Sequence, residues 1–286
     1  MTLSTASPTT NSRPTISVAV IALNEETHLD RLLRQLDWAD ATIIVDGGSS
    51  DRSVAIARSR GANVVERAFD DFANQRNAAL DAARGDWIFF IDADERPTPR
   101  LVDEIRDRIA IERCDGYRVP IRSTIFGRRF RFSGTQYDVP LRLMRRDSGR
   151  WGGAVHERVA IAGPVGKLSA HLEHFTLPTV AEFYRKMQRY TTLEAEARLA
   201  RNQAPKLRDA WLRPALETFR RLVWKQGWLD GVEGWKFCAL SGYSEWVLAR
   251  KHRELWRGLS EAETASPAGT RPSPTSCSRL ATGDAA

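Results

Sequence analysis

The sequence predicts an α/β protein built on a mostly parallel sheet with helices on both faces. Three observations carry this reading. Short apolar runs alternate with amphipathic ones over residues 15–110, the runs are rich in Val, Ile and Phe, and each ends in a polar loop. "TISVAVIAL" reads as the first strand. It enters "NEETHLDRLLRQLDW", where Leu29, Leu32, Leu33 and Leu36 keep helical spacing. "ATIIVD" is a second strand, followed by the turn "GGSSD" and the helical "RSVAIARSRG". "ANVVER" is a third, and "FANQRNAALDAARG" a helix expected to close on Gly85. "DWIFFIDADE" is a fourth, apolar until it ends in Asp92, Asp94 and Glu95.

Beyond Arg100 the pattern changes. "GYRVPIRSTIFGRRFRF" reads as a strand and hairpin, "VPLRLMRR" as a strand, and "VHERVAIAGPVGKLSAHLEHF" as a meander with Gly/Pro turns. From Thr179 three helical segments follow, the second interrupted by Pro214. The expected organisation is a disordered leader (1–14), an α/β domain (15–178), a helical region (179–260) and a disordered Ser/Pro/Thr-rich tail (261–286).

The 286 residues carry a formal charge of +7, with 42% hydrophobic and 28% charged side chains, ordinary values for a globular chain. Cys114, Cys238 and Cys277 are widely spaced and form neither a metal-ligand pattern nor a disulfide framework, which suggests a reducing compartment. The start of the chain lacks the apolar stretch of a secretory signal, and no run approaches the ~18 apolar residues of a spanning helix. A cytoplasmic or peripheral protein is expected. The arginines concentrate after Asp81, which favours an anionic partner such as a phosphorylated substrate, an acidic membrane surface or nucleic acid.

Ligands of open α/β sheets bind beyond the carboxyl ends of the strands. Here those ends read "ALNEE", "DGGSSD" and "DADE". Asp92 and Asp94 point the same way if the backbone is extended, and hard carboxylate oxygens suit Mg²⁺ or Mn²⁺ with substrate phosphate oxygens. The plain alternative is that Asp94 and Glu95 only favour the N-terminus of the next helix.

"SVAVIALNEETHLDRLL", "IIVDGGSSDRSVAIA", "FANQRNAAL" and "DWIFFIDADE" together resemble the inverting family-two glycosyltransferases of the GT-A fold. The resemblance implies a Rossmann-like mixed sheet with a C-terminal helical extension. It implies that Ala22, Asn24 and Glu25 line a nucleobase and ribose pocket with Asp46, and that Gln75 and Arg76 lie near the nucleotide. Asp92 would meet ribose or metal, and Asp94 the metal, Mg²⁺ or Mn²⁺. "WGGAVHERV", "GKLSAHLEHFTLPTVAEFYRKMQRYTTLEA" and "GWLDGVEGW" resemble the lipopolysaccharide-core glucosyltransferases of that superfamily. The implied reaction is transfer of a hexose, glucose from UDP-glucose, to a lipopolysaccharide-core or other lipid-linked glycan. Another donor such as an ADP-heptose is the alternative within the fold.

An inverting transfer needs a base for the acceptor hydroxyl. Glu157 is the candidate, with His156 as neighbour or substitute and Asp138 as rival. His171 and His174 are expected to end a strand and shape the acceptor pocket. Trp211, Leu212, Ala215, Leu216, Phe219, Leu222 and Val223 combine with Arg213, Arg220, Arg221 and Lys225. That amphipathic, basic segment either packs on the rest of the chain or adsorbs to anionic lipid. A nucleic-acid-binding protein is the alternative of a different class, but no helix-turn-helix, zinc-finger or ribonucleoprotein signature is present. Nucleic acid is not an expected partner.

Overall fold

The computed structural model describes residues 13–111, 113–153 and 158–265. His156 and Glu157, Cys277, most of the expected leader and the tail beyond Ala265 lie outside the described residues. The chain divides into two compact units, residues 1–123 with 137–175, and residues 124–136 with 176–286.

The first unit begins with β1 (Ile16–Ala22), α1 (Glu26–Leu33), β2 (Ala41–Asp46), α2 (Ser53–Ser59), β3 (Asn63–Glu66), α3 (Phe72–Ala82) and β4 (Trp87–Phe90). β5 (Glu95–Pro97), α4 (Pro99–Ile111), β6 (Gly116–Arg118) and β7 (Ile121–Ile125) follow, and β7 runs to β8 (Arg128–Arg129) of the second unit. β9 (Leu141–Arg145), β10 (Trp151–Gly152), β11 (Arg158–Val159), β12 (Val165–Lys167) and β13 (Leu172–His174) complete the first unit.

A seven-stranded sheet has the order β12-β6-β9-β4-β1-β2-β3. β4, β1, β2 and β3 run parallel, while β9 is antiparallel to both of its neighbours. The sheet is therefore mixed. Its strands alternate between two cores. Trp87, Phe89 and Ile91 face the layer of α1, α2 and α4, whereas Ile88 and Phe90 face Ala79 and Leu80 of α3. Each such large side chain contributes roughly 1.5–3 kcal/mol of burial.

Two sequence expectations are corrected here. The stretch after residue 155 does not form a meander: β12 adds to the main sheet beside β6, and β13 pairs with β5 and β7 instead. Gly85 does not cap α3, which ends at Ala82 with Ala83 extended. Gly85 is needed for close approach, since a Cβ there would lie 2.8 Å from the Ser17 nitrogen of β1.

In the second unit, the β7–β8 turn places Phe126 and Gly127 at φ of 52° and 75°, the left-handed pair that a tight hairpin requires. α5 (Val180–Ala200) starts at Thr179, whose hydroxyl accepts from the Glu182 N–H at 3.2 Å. α6 (Leu212–Phe219) opens just ahead of Pro214, where a missing N–H leaves no helical bond unmade, and α7 spans Gly231–Ala265. Phe130, Phe183, Met187, Phe237 and Val247 form the core. "GWLDG" acts as a clasp. Asp230 is buried and accepts from the Arg131 N–H at 2.8 Å and the Ser133 hydroxyl at 2.7 Å, while Gly227 leaves room for Cys238 and Ser133.

Candidate active site

β1 and β2 end level with each other, Ala22 opposite Asp46. The loops beyond them are laced together. Asn24, at φ 57°, donates its N–H to Ser49 Oγ at 2.8 Å, and its Oδ1 accepts from the Ser50 N–H at 2.8 Å. The Glu25 N–H donates to Ser53 Oγ at 2.8 Å. Ala22 and Asp46 are buried. The Asp46 carboxylate accepts from the N–H groups of Gly48 and Ser49, both at 2.9 Å, and from Ser49 Oγ at 2.5 Å. Asp46 thus holds the "GGSS" turn in shape from beneath.

The acids after β4 do not lie on an extended backbone. Ala93 and Asp94 form a turn, closed by the Glu95 N–H on the Asp92 carbonyl at 2.9 Å, so Asp92 and Asp94 take different partners. Nor do Asp94 and Glu95 cap α4, because β5 intervenes and Thr98 caps that helix. Arg142, the second residue of β9, donates one Nη to Asp92 at 2.7 Å and to Glu95 at 2.6 Å. Its guanidinium is buried, as is Glu95, whereas the Asp92 side chain stays 42% exposed. Burial opposes the charge on Arg142, but Asp92 and Glu95 outweigh it and raise its pKa. Burial also pushes Glu95 up, to about 7, with Arg142 opposing and Asp92 adding to the rise. Asp92 is held below the usual carboxylate range: its burial is outweighed by the charge and hydrogen bond of Arg142.

Asp94 Oδ2 lies 3.1 Å from His174 Nε2, because β13 runs antiparallel to β5 with His174 opposite Glu95. Burial works against the imidazolium, yet the Asp94 hydrogen bond and the nearby acids raise the His174 pKa. The Asp94 carboxylate offers the hard oxygen that Mg²⁺ or Mn²⁺ takes, provided that substrate phosphate oxygens complete the shell, and His174 would add a nitrogen ligand only after giving up its proton. Among the described residues no group of three or more His, Cys, Asp or Glu could hold an ion unaided. Asp138 is exposed, but desolvation raises its carboxyl pKa, with Arg142 and His174 opposing and Asp92 adding. His171 Nε2 lies 3.4 Å from Arg122 Nη1.

On α3, Gln75 is fully buried and donates its Nε2 to the Arg67 carbonyl at 3.0 Å. The Arg76 guanidinium lies over Trp151 at 4.8 Å and Phe90 at 5.4 Å. Asn77 clasps the Trp151 backbone, donating to its carbonyl at 2.9 Å and accepting from its N–H at 3.0 Å. The sequence reading missed Arg142, Arg96 and Asn77. Arg96 is buried and donates to the carbonyls of Ala93 and His28, which fixes the acidic turn. An arginine flanked by leucines in "LRLMR" was the available signal, since a buried cation needs an anion.

A parallel-rich sheet with these loops and acids at its strand ends is that of a glycosyltransferase of the GT-A class. The chain belongs to glycosyl transferase family 2, whose family model matches residues 17–161, half of the chain. It is 29% identical over 239 residues to the lipopolysaccharide core biosynthesis glycosyltransferase LpsC of Rhizobium meliloti, covering 80% of this chain and 86% of that one. An uncharacterized glycosyltransferase of Rickettsia bellii is 37% identical over 103 residues, 36% of this chain and 35% of that one. Among solved structures, S. aureus TarS 1–349 is similar with 16% identity and a TM-score of 0.44, covering 85% of this chain and 91% of that one. Glucosyl-3-phosphoglycerate synthase from Mycobacterium tuberculosis, in complex with Mn²⁺, UDP and glucosyl-3-phosphoglycerate, has 22% identity and a TM-score of 0.36, covering 47% and 57%. No helix among the described residues is long and apolar enough to cross a membrane.

Proposed function

We propose that the protein transfers a hexose, glucose from UDP-glucose, with inversion to a lipopolysaccharide-core or other lipid-linked glycan, at the face of the cytoplasmic membrane. The observation that carries this reading is the Asp94–His174 pair at the end of β4 in a chain of glycosyl transferase family 2. The likeness to LpsC supports the class of acceptor.

In this reading the interlaced loops at Asn24, Glu25 and Ser49 receive the nucleoside, and Asp46 acts by holding their shape. Gln75 and Arg76 stand on the nucleotide side, with Arg76 fixed by Trp151. Asp94 and His174 would hold a divalent cation, which supplies Lewis-acid stabilisation of the departing diphosphate. Asp92, steadied by Arg142, faces the ribose or the same cation. Glu157, with His156 beside it in sequence, takes the proton of the acceptor hydroxyl. Asp138 is the second reading for the base, because its raised pKa brings it closer to the operating pH.

A screen of nucleotide sugars for donor hydrolysis with Mn²⁺ or Mg²⁺ tests the reaction class. Asp94→Ala is expected to abolish turnover with the melting temperature preserved, and unchanged metal-dependent turnover would overturn the assignment. Glu157→Gln is expected to slow transfer roughly 10²–10⁴-fold while nucleotide-diphosphate binding persists. Wild-type transfer by that variant, with the same loss in Asp138→Asn, assigns the base to Asp138.

A further inference from the structure

The second unit turns a large apolar face to solvent. Leu212, Leu216 and Phe219 of α6, with Val223 beyond it, recur at the spacing that normally marks the packed side of a helix. Here each is 49–57% exposed, and α6 buries none of its residues. The packed side is made of small groups. A Cβ at Gly242 of α7 would lie 2.0 Å from Thr218 Oγ1 and 2.7 Å from the Pro214 carbonyl, so the two helices touch there and the large side chains point away. Trp228, Val232 and Trp235 repeat the spacing into α7, again exposed, and Trp211 and Trp224 are 75% and 80% exposed. Four tryptophans within 25 residues of one unit are in water.

Lys206 and Arg208, either side of Leu207 in sequence, line a cavity of about 440 Å³ with Arg198, Arg213, Glu194 and Asp209. Arg198 pairs with Glu194 at 2.9 Å and Arg213 with Asp209 at 3.0 Å, so Lys206 and Arg208 supply the excess positive charge. His252 also lines the cavity, and burial pushes its pKa down. Across residues 206–236 seven lysines and arginines stand against four acids.

Exposed apolar patches of this extent mark partner surfaces, and Trp with its polar N–H suits the lipid–water boundary. Apolar side chains rimmed by basic ones match an anionic bilayer. A second copy of the chain would instead set the same positive excess against itself. We propose that residues 207–235 dock on an anionic bilayer, the four tryptophans entering the headgroup layer and the Lys206–Arg208 cavity receiving lipid phosphate. This deepens the membrane-face placement proposed above, and it is tested without donor or acceptor, so its failure leaves the transfer reaction standing.

The test uses the full chain with vesicles of phosphatidylglycerol and phosphatidylethanolamine, and with pure phosphatidylcholine. The protein should float with the first, less so as salt rises, with tryptophan emission shifted to the blue and quenched by brominated lipid. Trp211→Ala with Trp224→Ala should lose most flotation, and Lys206→Ala with Arg208→Ala should weaken it on the order of 20-fold, at about five-fold per charge. Circular dichroism melts serve as the control for folding, and the quenching of wild type needs no variant. The proposal is overturned by failure to float with the anionic vesicles at low salt, or by equal flotation with both kinds. It is also overturned by a blue shift that grows with protein concentration without lipid, which would assign the face to a second copy.

Discussion

The two units each bury a carboxylate centre, and they satisfy it by different means. Asp230 in the second unit is surrounded by neutral dipoles, the N–H groups of Arg131 and Phe132 and the hydroxyl of Ser133. Asp92 and Glu95 in the first unit share one guanidinium, that of Arg142. Backbone dipoles cannot leave without unmaking the turn that carries them, so Asp230 fixes a fold. Burial pushes Glu95 up to about 7, with Asp92 adding to the rise and Arg142 only partly opposing it. A centre of that kind can accept a further cation or a ligand proton, and it stands where the chemistry is expected. The same residue type thus serves as a rivet in one unit and as a responsive group in the other.

The largest expected effect breaks the charged centre. Arg142→Met leaves Glu95 buried without its cation and should cost about 3–5 kcal/mol, read as a lower urea midpoint. Adding Glu95→Gln to that variant should recover part of the loss. A wild-type midpoint for Arg142→Met would show that the acids are satisfied some other way. Asp230→Asn probes the dipolar centre. It replaces one acceptor oxygen with an NH₂ that then faces either the Arg131 N–H or the Ser133 hydroxyl, and should cost about 1–3 kcal/mol, without changing the pH at which donor hydrolysis is fastest.

The smallest effect sharpens the comparison with a half-buried carboxylate that is held mainly by dipoles. Glu104 accepts from the N–H groups of Ser169 and Ala170 and from Ser169 Oγ. Burial works against its charge, but these bonds outweigh it and lower its pKa from 4.5. A depressed folded pKa stabilises above the unfolded value and is lost as pH falls through the folded one. Glu104→Gln should therefore melt below wild type at pH 7, by about 1 kcal/mol. The two proteins should converge as the medium is acidified below pH 4.5. A gap that persists in acid would assign the effect to packing.

The elements legible in the sequence were those whose signals are local. β1, β2 and β4 are continuous apolar runs, and α1 shows its leucines at helical spacing, so sheet and strand ends followed directly. Partners set by long-range register were not legible. Arg142 is 50 residues from Asp92 in sequence, and one arginine among many in a basic chain does not announce that it is buried. His174 was expected beside an acceptor. It meets Asp94 only because β13 pairs with β5, and the Gly/Pro pattern of that region suggested a local meander instead. Gly85 looked like a helix stop because a close approach between strands leaves the same residue type in the sequence as a C-cap does. In α6 the stripe was visible, but which side of the helix is packed depends on Gly242, far along the chain.

Asn77 pairs with β10 as a neighbouring strand would, though it is a side chain on a helix. The Trp151 amide hydrogen is therefore shut off from solvent by a single residue rather than by a ladder. Its exchange with deuterium times the moments when α3 releases β10, and Asn77→Ala should turn that slow exchange fast while leaving the amides of β1 slow. Arg76 stacks on the same indole, so each release also changes the light that Trp151 emits.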